Sequence, residues 1–327
     1  MLSILGMGCF HPSTIIDNKF IEDLNIGTNI EWIVDKIGVQ TRVSTLPLDY
    51  IRDTRNQDPT KARGVASHSP SMLGVEAAER ALEVAGISRD KVGLVICNTC
   101  TPEETAPSMA QKIASQMGIK APSYDVLTAC PAFALHIDYL RNFKEEALPE
   151  YILCISTAAM TQKVNYNDRS DAAIWGDGAA AWIVSARHEG KLSIIDSTFA
   201  ADATRCEAVV VDTFGFFHQD GRAVRDFSVR QTVRIIKALE DKHPMDWTRD
   251  VFVGHQANAT MLRQIIDNRE IPPTSHWHNV TYLGNQAAAG APAVMATNWN
   301  NIKPGMKILC AVVGAGLSWG SVLMEAR

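Results

Sequence analysis

The chain has 327 residues, 46% of them hydrophobic and 20% charged, so it can bury a large core in two domains or one duplicated α/β unit. Its formal net charge of −5 gives no reason to expect a nucleic acid partner. The first residues contain no basic segment followed by a long apolar core, and no apolar run is long enough to cross a bilayer. We therefore expect a cytoplasmic protein.

Strands and helices alternate along the first half of the chain. Apolar periodicity and the positions of glycine and proline predict strands at 1–10, 92–97, 151–156 and 179–184, and helices at 17–24, 31–36, 71–85 and 107–117. The polar and charged stretch from Thr45 to Ser69 contains two prolines and is predicted to be an exposed loop.

The second half repeats this alternation. Strands are predicted at 192–197, 251–253 and 307–313, and helices at 224–239 and 287–299. No proline-rich or low-complexity linker separates the halves, so the prediction is two packed α/β layers of the same plan, divided into residues 1–186 and 187–327.

The seven cysteines are scattered, odd in number and mostly inside apolar runs, which is typical of free thiols in a reducing compartment. Cys97 and Cys100 have the spacing of a redox pair, but no helix opens directly behind them. His276 and His278 are the only close pair of histidines and have no cysteine or carboxylate cluster beside them, so no metal site is predicted.

Cys130 stands at the junction of a short apolar strand and a helix. Pro131 favours a helix start, which places Cys130 at the positive end of the helix dipole. A thiol in that position is expected to lose its proton more readily and to act as a nucleophile. The alternative is that Cys130 is a small buried apolar residue.

Three later segments could complete an acyl-transfer site, which needs a nitrogen donor or base and donors for an oxyanion. His255 directly follows a buried strand, although it could be a structural histidine. Asn285 lies among small residues, where it could instead cap a helix. Gly314-Ala315-Gly316 follows another strand and could offer backbone amides or only turn the chain.

In this order the motifs resemble the ketoacyl-ACP synthase III family of the thiolase-like superfamily. The resemblance rests on the residues around the cysteine, the histidine, the asparagine and the glycine turn, and it covers nearly the whole chain apart from the Thr45–Ser69 stretch. The matching segments are Thr128–Phe133, His255–Asn258, Gly284–Ala288 and Gly314–Gly320, together with Thr28–Val34, Asp168-Arg169 and Trp175–Ala179.

The resemblance implies a five-layered αβαβα fold, a homodimer and a condensing acyltransferase. Cys130 would be acylated by acyl-CoA or acyl-ACP, and His255 and Asn285 would bind the carbonyl of a malonyl-type thioester, which loses carbon dioxide and attacks the acyl group. The amides of Cys130 and Ala315 would form the other oxyanion hole. No cofactor beyond the thioester substrates is implied, and an acyl carrier protein is a possible partner.

The resemblance also assigns the binding of coenzyme A. Trp32 would stack on the adenine with Thr28 and Arg169 beside it, and Asn258 would line the pantetheine channel. Ala106 stands where many members have an aromatic residue that shortens the acyl pocket across the dimer, so a starter larger than acetyl is expected.

Other departures affect the binding of a carrier protein and the pathway. Arginines common in the family are replaced by Lys36, Gln40 and Thr260, which would weaken a docking surface for a phosphate or for the carrier protein. The expected pathway is fatty acid or secondary-metabolite biosynthesis, for example of polyketides or dialkylresorcinols. Two alternatives stay open: an acyltransferase to an oxygen or nitrogen acceptor, and a non-catalytic subunit of a heterodimeric synthase.

Overall fold

The structure is a computed structural model that describes all 327 residues. Its strands are β1 Ser3–Phe10, β2 Thr14–Asp17, β3 Thr41–Ser44, β4 Val92–Thr99, β5 Ser123–Asp125, β6 Tyr151–Ala159, β7 Asp177–Ser185, β8 Leu192–Ala201, β9 Val209–Val211, β10 Phe217–Gln219, β11 Val251–Gly254, β12 Lys307–Gly314 and β13 Ser318–Ala326. Its α-helices are α1 Asn18–Asp23, α2 Ile30–Lys36, α3 Leu48–Thr54, α4 Pro59–Val65, α5 Pro70–Ala85, α6 Met109–Met117, α7 Ala132–Arg141, α8 Arg169–Ala172, α9 Gly221–Lys242, α10 Ala259–Asn268, α11 Val280–Leu283 and α12 Gly290–Thr297. None of these helices combines the length and apolar character needed to cross a bilayer.

Nine strands are hydrogen-bonded in the order β11-β12-β13-β8-β1-β7-β6-β4-β5. β1 pairs with β7 along its length, but it shares only two residue pairs with β8, Ser3 with Ser193 and Ile4 with Leu192. The strands therefore divide at this narrow junction into an N-terminal part of five and a C-terminal part of four. The predicted chain division at 186 and 187 falls between β7 and β8.

The two parts have the same topology. When the strands of each part are numbered in chain order, their spatial order across the N-terminal sheet is 3-2-4-5-1. The C-terminal sheet has the same order but lacks the third strand. A single parallel bridge between Phe252 and His276 occupies the place of the missing third strand. The second and fourth strands are parallel and the fifth is antiparallel in both parts.

Helices α7 and α12 form a central layer between the two sheets. α12 comes from the C-terminal half and packs on β1 and β7, whereas α7 comes from the N-terminal half and packs on β8 and β13. Their apolar side chains, including Phe133 and Met295, belong to one buried cluster with both sheets. Helices α5 and α6 cover the outer face of one sheet, and α9 and α10 cover that of the other. The predicted five-layered αβαβα fold is confirmed.

Helix α5 is buried mainly through small side chains. Met72 is 46% exposed, whereas Leu73, Ala77 and Ala81 are fully buried. A side chain at Gly8 of β1 would place its Cβ within 2.5 Å of the α5 backbone. Helix α5 thus packs its small side chains directly against β1. This close approach sets the orientation of the helix.

The predicted exposed loop from Thr45 to Ser69 is wrong. The segment forms the two short helices α3 and α4, and their inward residues Ile51 and Ala62 are fully buried. Asp58 caps α4 by accepting a hydrogen bond from the amide of Thr60. Each helix spans only seven residues and buries one narrow stripe, so its charged outer face dominates the local composition.

The C-terminal elements also need correction. The helix predicted from Ala287 begins as a 3-10 turn, Ala287–Ala289, before α12 starts at Gly290. The strand after the glycine turn, β13, was not predicted, although it pairs with both β12 and β8. The other predicted strands and helices are present, with ends that differ by a few residues.

Candidate active site

Cys130 lies in a sharp turn between β5 and α7. Helix α7 starts at Ala132 with Pro131 as its N-cap, so Cys130 precedes the first helical turn by one position more than the sequence indicates. Ala129 adopts φ 53°, a left-handed conformation that is uncommon for a residue with a side chain. Such a conformation persists only where its surroundings hold it, and here it directs the next residue, Cys130.

Asn98 at the end of β4 holds this turn. Its side-chain oxygen accepts a hydrogen bond from the amide of Thr128 at 3.0 Å, and its amide nitrogen donates to the carbonyl of Ala129 at 3.3 Å. Asn98 is completely buried. The sequence analysis missed this residue, although a polar side chain at the end of a buried strand was a usable signal.

The glycine turn after β12 lies directly behind the nucleophile. A Cβ atom built on Gly314 would lie 2.8 Å from the Cβ of Cys130 and 2.7 Å from the Cδ of Pro131, so a side chain there would displace the cysteine turn. The Ser318 hydroxyl donates to the carbonyl of Ala315 at 2.6 Å and lies 3.3 Å from the Thr128 hydroxyl. The C-terminal half therefore supports the cysteine from behind.

The expectation that Cys130 has an acidic thiol is wrong. Burial raises the pKa of the Cys130 thiol well above its ordinary value, and the nearby thiol of Cys100 adds to the effect, while a hydrogen bond from the Cys130 amide opposes it only in part. The dipole effect is concentrated in the first turn of a helix, and Cys130 lies outside that turn. The surroundings of Cys130 therefore favour the neutral thiol over the thiolate.

His255 immediately follows β11 and is 7% exposed. Burial lowers its pKa to about 4, so the imidazole is neutral at physiological pH. Its Nδ1 is sealed from solvent and has no hydrogen-bond partner. Nε2 is therefore the ring nitrogen through which His255 could meet a ligand.

Asn285 is 4% exposed and is fixed through its backbone. Its amide donates to the carbonyl of Ile174 at 2.9 Å, and its carbonyl accepts from the amide of Gly176 at 3.0 Å. Its side-chain oxygen accepts from the amide of Ala287 at 2.9 Å. This bond spans two residues and is a local turn, since Gln286 and not Asn285 is the N-cap of the 3-10 turn that follows. It leaves the side-chain NH₂ group of Asn285 as a donor.

A cavity of about 440 Å³ extends from the protein surface to Asn285. The predicted residues Trp32 and Asn258 line it together with Asn285. Asn258 also caps α10, because its side-chain oxygen accepts from the amide of Met261. Three of the predicted site residues therefore share one channel.

Thr28, Trp32 and Arg169 line an adjoining surface cavity of about 470 Å³. The guanidinium carbon of Arg169 lies 5.1 Å from the centroid of the Trp32 ring, and the same group donates to the carbonyl of Gly27 at 2.8 Å. The pair is a preformed cation–π contact beside this cavity.

The remaining predicted residues lie elsewhere. Cys130 and His255 are not on the wall of the Trp32 channel, and Ala106 is exposed on the loop between β4 and α6. The analysis also missed Arg222 and Arg225, which line the channel from the first turns of α9. Their position depends on the packing of α9 near α2, which local sequence does not show.

Comparisons with known proteins agree with this geometry. Residues 124–203 match the family described as 3-oxoacyl-[acyl-carrier-protein (ACP)] synthase III, and residues 248–326 match the C-terminal family of the same description. The chain is 26% identical to the beta-ketoacyl-[acyl-carrier-protein] synthase III of Aquifex aeolicus over 326 residues, which cover 98% of both chains. It is 28% identical over 341 residues to beta-ketoacyl-[acyl-carrier-protein] synthase III 2 of Bacteroides thetaiotaomicron, covering 98% of this chain and 95% of that protein.

The fold is similar to solved structures over its full length. The crystal structure of 3-oxoacyl-[acyl-carrier-protein] synthase III from Aquifex aeolicus superimposes with a TM-score of 0.87 and 25% sequence identity. The superposition covers 99% of this chain and 100% of that one. The likeness therefore includes both halves and the central helices that carry the site.

Proposed function

This chain belongs to the 3-oxoacyl-ACP synthase III family of acyltransferases, and we propose that it is a condensing enzyme that joins an acyl group on Cys130 to a malonyl-type thioester. The observation that carries the proposal is the channel from Trp32 to Asn285, which leads from a flat stacking site to a buried amide donor. Fatty acid or secondary-metabolite biosynthesis is the proposed pathway, and the alkyl starter is proposed to be larger than acetyl because Ala106 leaves its loop without a ring.

In the first half-reaction the Cys130 sulfur attacks the carbonyl of an acyl thioester. A carbon–sulfur bond forms to Cys130, the bond to the pantetheine sulfur breaks, and the thiol proton ends on the departing thiol. The amides of Cys130 and Ala315 are proposed to stabilise the oxyanion, since the glycine turn lies against the cysteine. Trp32, Thr28 and Arg169 would hold the adenine end and Asn258 the pantetheine.

In the second half-reaction a malonyl-type thioester enters the same channel. The Nε2 of neutral His255 and the amide of Asn285 donate hydrogen bonds to its thioester carbonyl. Loss of carbon dioxide leaves an enolate, whose negative charge on oxygen strengthens both hydrogen bonds. The enolate carbon attacks the acyl carbonyl and forms a carbon–carbon bond while the bond to the Cys130 sulfur breaks. The departing thiolate takes up one proton from solvent, which regenerates the thiol of Cys130. The reaction needs no cofactor besides the two thioesters.

A carrier protein is the proposed donor of the malonyl group. Lys36, Arg222 and Arg225 line the channel that Trp32 opens, on a chain of net charge −5. Lys36 pairs with Asp35 and Arg225 with Asp226, whereas Arg222 forms no salt bridge. These side chains lie close enough to meet an acidic carrier whose pantetheine enters the channel. They offset the family arginines that are absent at Gln40 and Thr260.

The acylation step is tested by intact-protein mass spectrometry after exposure to a panel of acyl-CoAs. We expect a single acyl adduct, with straight or branched chains longer than acetyl formed most rapidly. Cys130→Ser should abolish the adduct, whereas Cys206→Ser, which removes an exposed thiol, should not. An adduct that survives in Cys130→Ser would overturn the assignment of the nucleophile.

Release of carbon dioxide from a malonyl thioester separates condensation from acyl transfer to an oxygen or nitrogen acceptor. We expect release by the acylated enzyme, with a loss of at least about a hundredfold in Asn285→Ala, as for the removal of one oxyanion donor. The same variant should still acquire the acyl adduct on Cys130. Acylation without any release of carbon dioxide would favour the simple acyltransferase, and the absence of both would favour the non-catalytic subunit.

A further inference from the structure

A second cavity of about 310 Å³ shares no lining residue with the Trp32 channel. It is enclosed by α4, by the start of the loop after β4, by the segment after β6 and by the turn between β9 and β10. Pro59, Pro102 and Phe214 are apolar, and the other residues that line it carry polar or charged side chains. The wall therefore offers both apolar surface and polar groups, which suits a carbon chain that ends in a polar group.

Two cations face this cavity without a carboxylate partner. The Lys163 ammonium donates to the backbone carbonyls of Asp212 and Thr213 at 3.1 and 2.8 Å. The Arg63 guanidinium donates to the carbonyls of Pro102 and Glu103. Neither cation forms a salt bridge in the structure. A third, longer bond from Lys163 reaches the carbonyl of Gly215 at 3.5 Å, whereas the Arg63 guanidinium has N–H groups beyond those bound to these two carbonyls. Burial and the proximity of Arg63 lower the pKa of Lys163, while Asp212 opposes that shift.

The carboxylates on the same wall are engaged elsewhere. Glu103 accepts a hydrogen bond from the amide of Ser71 at 2.8 Å and an ion pair from Lys112 at 2.6 Å, which lower its pKa to about 2 despite partial burial. Glu104 also pairs with Lys112. Asp212 accepts the amides of Phe214 and Gly215. The cations are therefore the groups left to meet a ligand.

The cavity adjoins the nucleophile. Thr101 lines it, and the preceding residue, Cys100, is close enough to Cys130 to influence the ionisation of its thiol. The neighbouring Asn98 is hydrogen-bonded to the cysteine turn itself. Cys100 and Thr101 thus connect the surroundings of the Cys130 sulfur with the wall that carries Arg63 and Lys163.

We propose that this cavity binds the distal carboxylate of an ω-carboxyl acyl group, so that the enzyme accepts a dicarboxylic acid monothioester as its starter. The inference rests on the proposed function, because it assumes that Cys130 is the acylated residue. The bonds that form and break during acylation are the same as for an alkyl chain, and the proton of the Cys130 thiol passes to the departing thiol. The free carboxylate takes no part in bond making and is held by charge-assisted hydrogen bonds.

The test compares acyl-CoAs of equal carbon number: succinyl against butyryl, glutaryl against valeryl, and adipyl against hexanoyl. Acylation of Cys130 is followed by intact-protein mass spectrometry, and kcat/KM is obtained for each pair. We expect at least one ω-carboxyl chain to be preferred over its neutral counterpart by about tenfold or more. Arg63→Gln and Lys163→Gln should each lower that ratio, and the double variant should remove the preference.

Lys61→Gln is the matched control, because Lys61 lies on the same helix and pairs with Asp58 outside the cavity. It should leave the ratio unchanged. Free glutarate should compete with glutaryl-CoA but not with valeryl-CoA. If valeryl-CoA acylates Cys130 and no ω-carboxyl chain does, the inference fails while the proposed function stands. The inference also fails if the preference for ω-carboxyl chains is equal in the wild type and the double variant. It fails likewise if glutarate stabilises the protein against unfolding but glutaryl-CoA does not acylate Cys130.

Discussion

Asn98 shows how the reactivity of one residue depends on a side chain from a neighbouring strand. It bonds the residues two before and one before Cys130 and is buried completely. Thr128 and Ala129 would each lose a hydrogen-bond partner without it, and the left-handed conformation of Ala129 would be free to relax. Asn98 is thus a positioning residue for the nucleophile, not a group that touches the substrate.

Replacing Asn98 by Leu, which is similar in size, should slow acylation of Cys130 by about tenfold or more and cost about 1–3 kcal/mol in the free energy of unfolding, since two buried polar groups are left unsatisfied. The channel is untouched, so kcat should fall while KM for acyl-CoA stays within about twofold. Stopped-flow acylation and denaturant unfolding measure the two effects. A variant that is destabilised but acylates at the normal rate per folded molecule would show that Asn98 is only structural.

The pKa of His255 predicts the pH dependence of decarboxylation. Because burial lowers this pKa to about 4, the neutral imidazole that donates through Nε2 is present throughout the physiological range. Single-turnover release of carbon dioxide should therefore be level from pH 8 to about 5.5 and decline only below that. An exposed histidine would titrate near 6.5. An inflection near 6.5 that disappears in His255→Gln would contradict the assignment.

The lowered pKa of His255 also makes the free energy of unfolding depend on pH. The unfolded chain protonates His255 near pH 6.5, whereas the folded chain does so near 4. Between these values the unfolded state binds more protons, so the contribution of His255 to stability is lost as the pH falls below about 6.5. Burial likewise lowers the pKa values of His11, His136 and His276 to about 4, so these side chains add to the same trend.

At the scale of elements, helix α9 combines packing and charge. Its inward residues Ile235, Ile236 and Leu239 are buried against the C-terminal sheet, while its N-terminal end presents Arg222 and Arg225 to the channel. The sequence analysis located the helix but not this function, because the apolar pattern specifies the buried face and not the neighbour beyond the helix end. Arginines at this end of the channel could meet either the phosphates of coenzyme A or the acidic surface of a carrier, and charge reversal distinguishes the two.

Reversing the two charges with Arg222→Glu and Arg225→Glu should raise KM for a malonyl carrier-protein thioester about tenfold or more, and the effect should shrink as salt is added. KM for malonyl-CoA, which lacks the protein surface, should change less. Arg234→Glu is the matched control, since Arg234 is exposed on the same helix and does not line the channel. Equal effects on both malonyl donors would refute a docking role.

At the scale of the whole molecule, local patterns located most strands and helices but could not reveal which of them are neighbours. The proline after Cys130 and the glycine after Ala85 gave nearly correct boundaries because caps are local. The contact of Gly314 with Cys130, the bonds from Asn98 and the bridge from Trp175 to Asn285 all join segments far apart in the chain. These contacts follow from the strand order that both halves share. The sequence did not reveal this repeat, because the identity between the two halves is too low.

The two edges of the strand array differ, which predicts how copies of the chain associate. At one edge, β11 is partly covered by the bridge between Phe252 and His276. At the other edge, β5 pairs only with β4. Tyr124 within β5 is 39% exposed, and Leu127, two residues after the strand, is 58% exposed. An uncovered edge strand beside exposed apolar side chains is a surface that proteins normally bury.

We therefore expect a homodimer formed by antiparallel pairing of β5 with its copy, at twice the chain mass of 35.8 kDa. Light scattering after size-exclusion chromatography should report this dimer for the wild type. Leu127→Asp should convert it to monomer at micromolar concentration, because pairing would bury two carboxylates near the twofold axis. Phe143→Asp, which changes a residue 43% exposed at another site, should leave the dimer intact. A wild-type monomer, or a dimer unaffected by Leu127→Asp, would place the association elsewhere and leave β5 as a free edge.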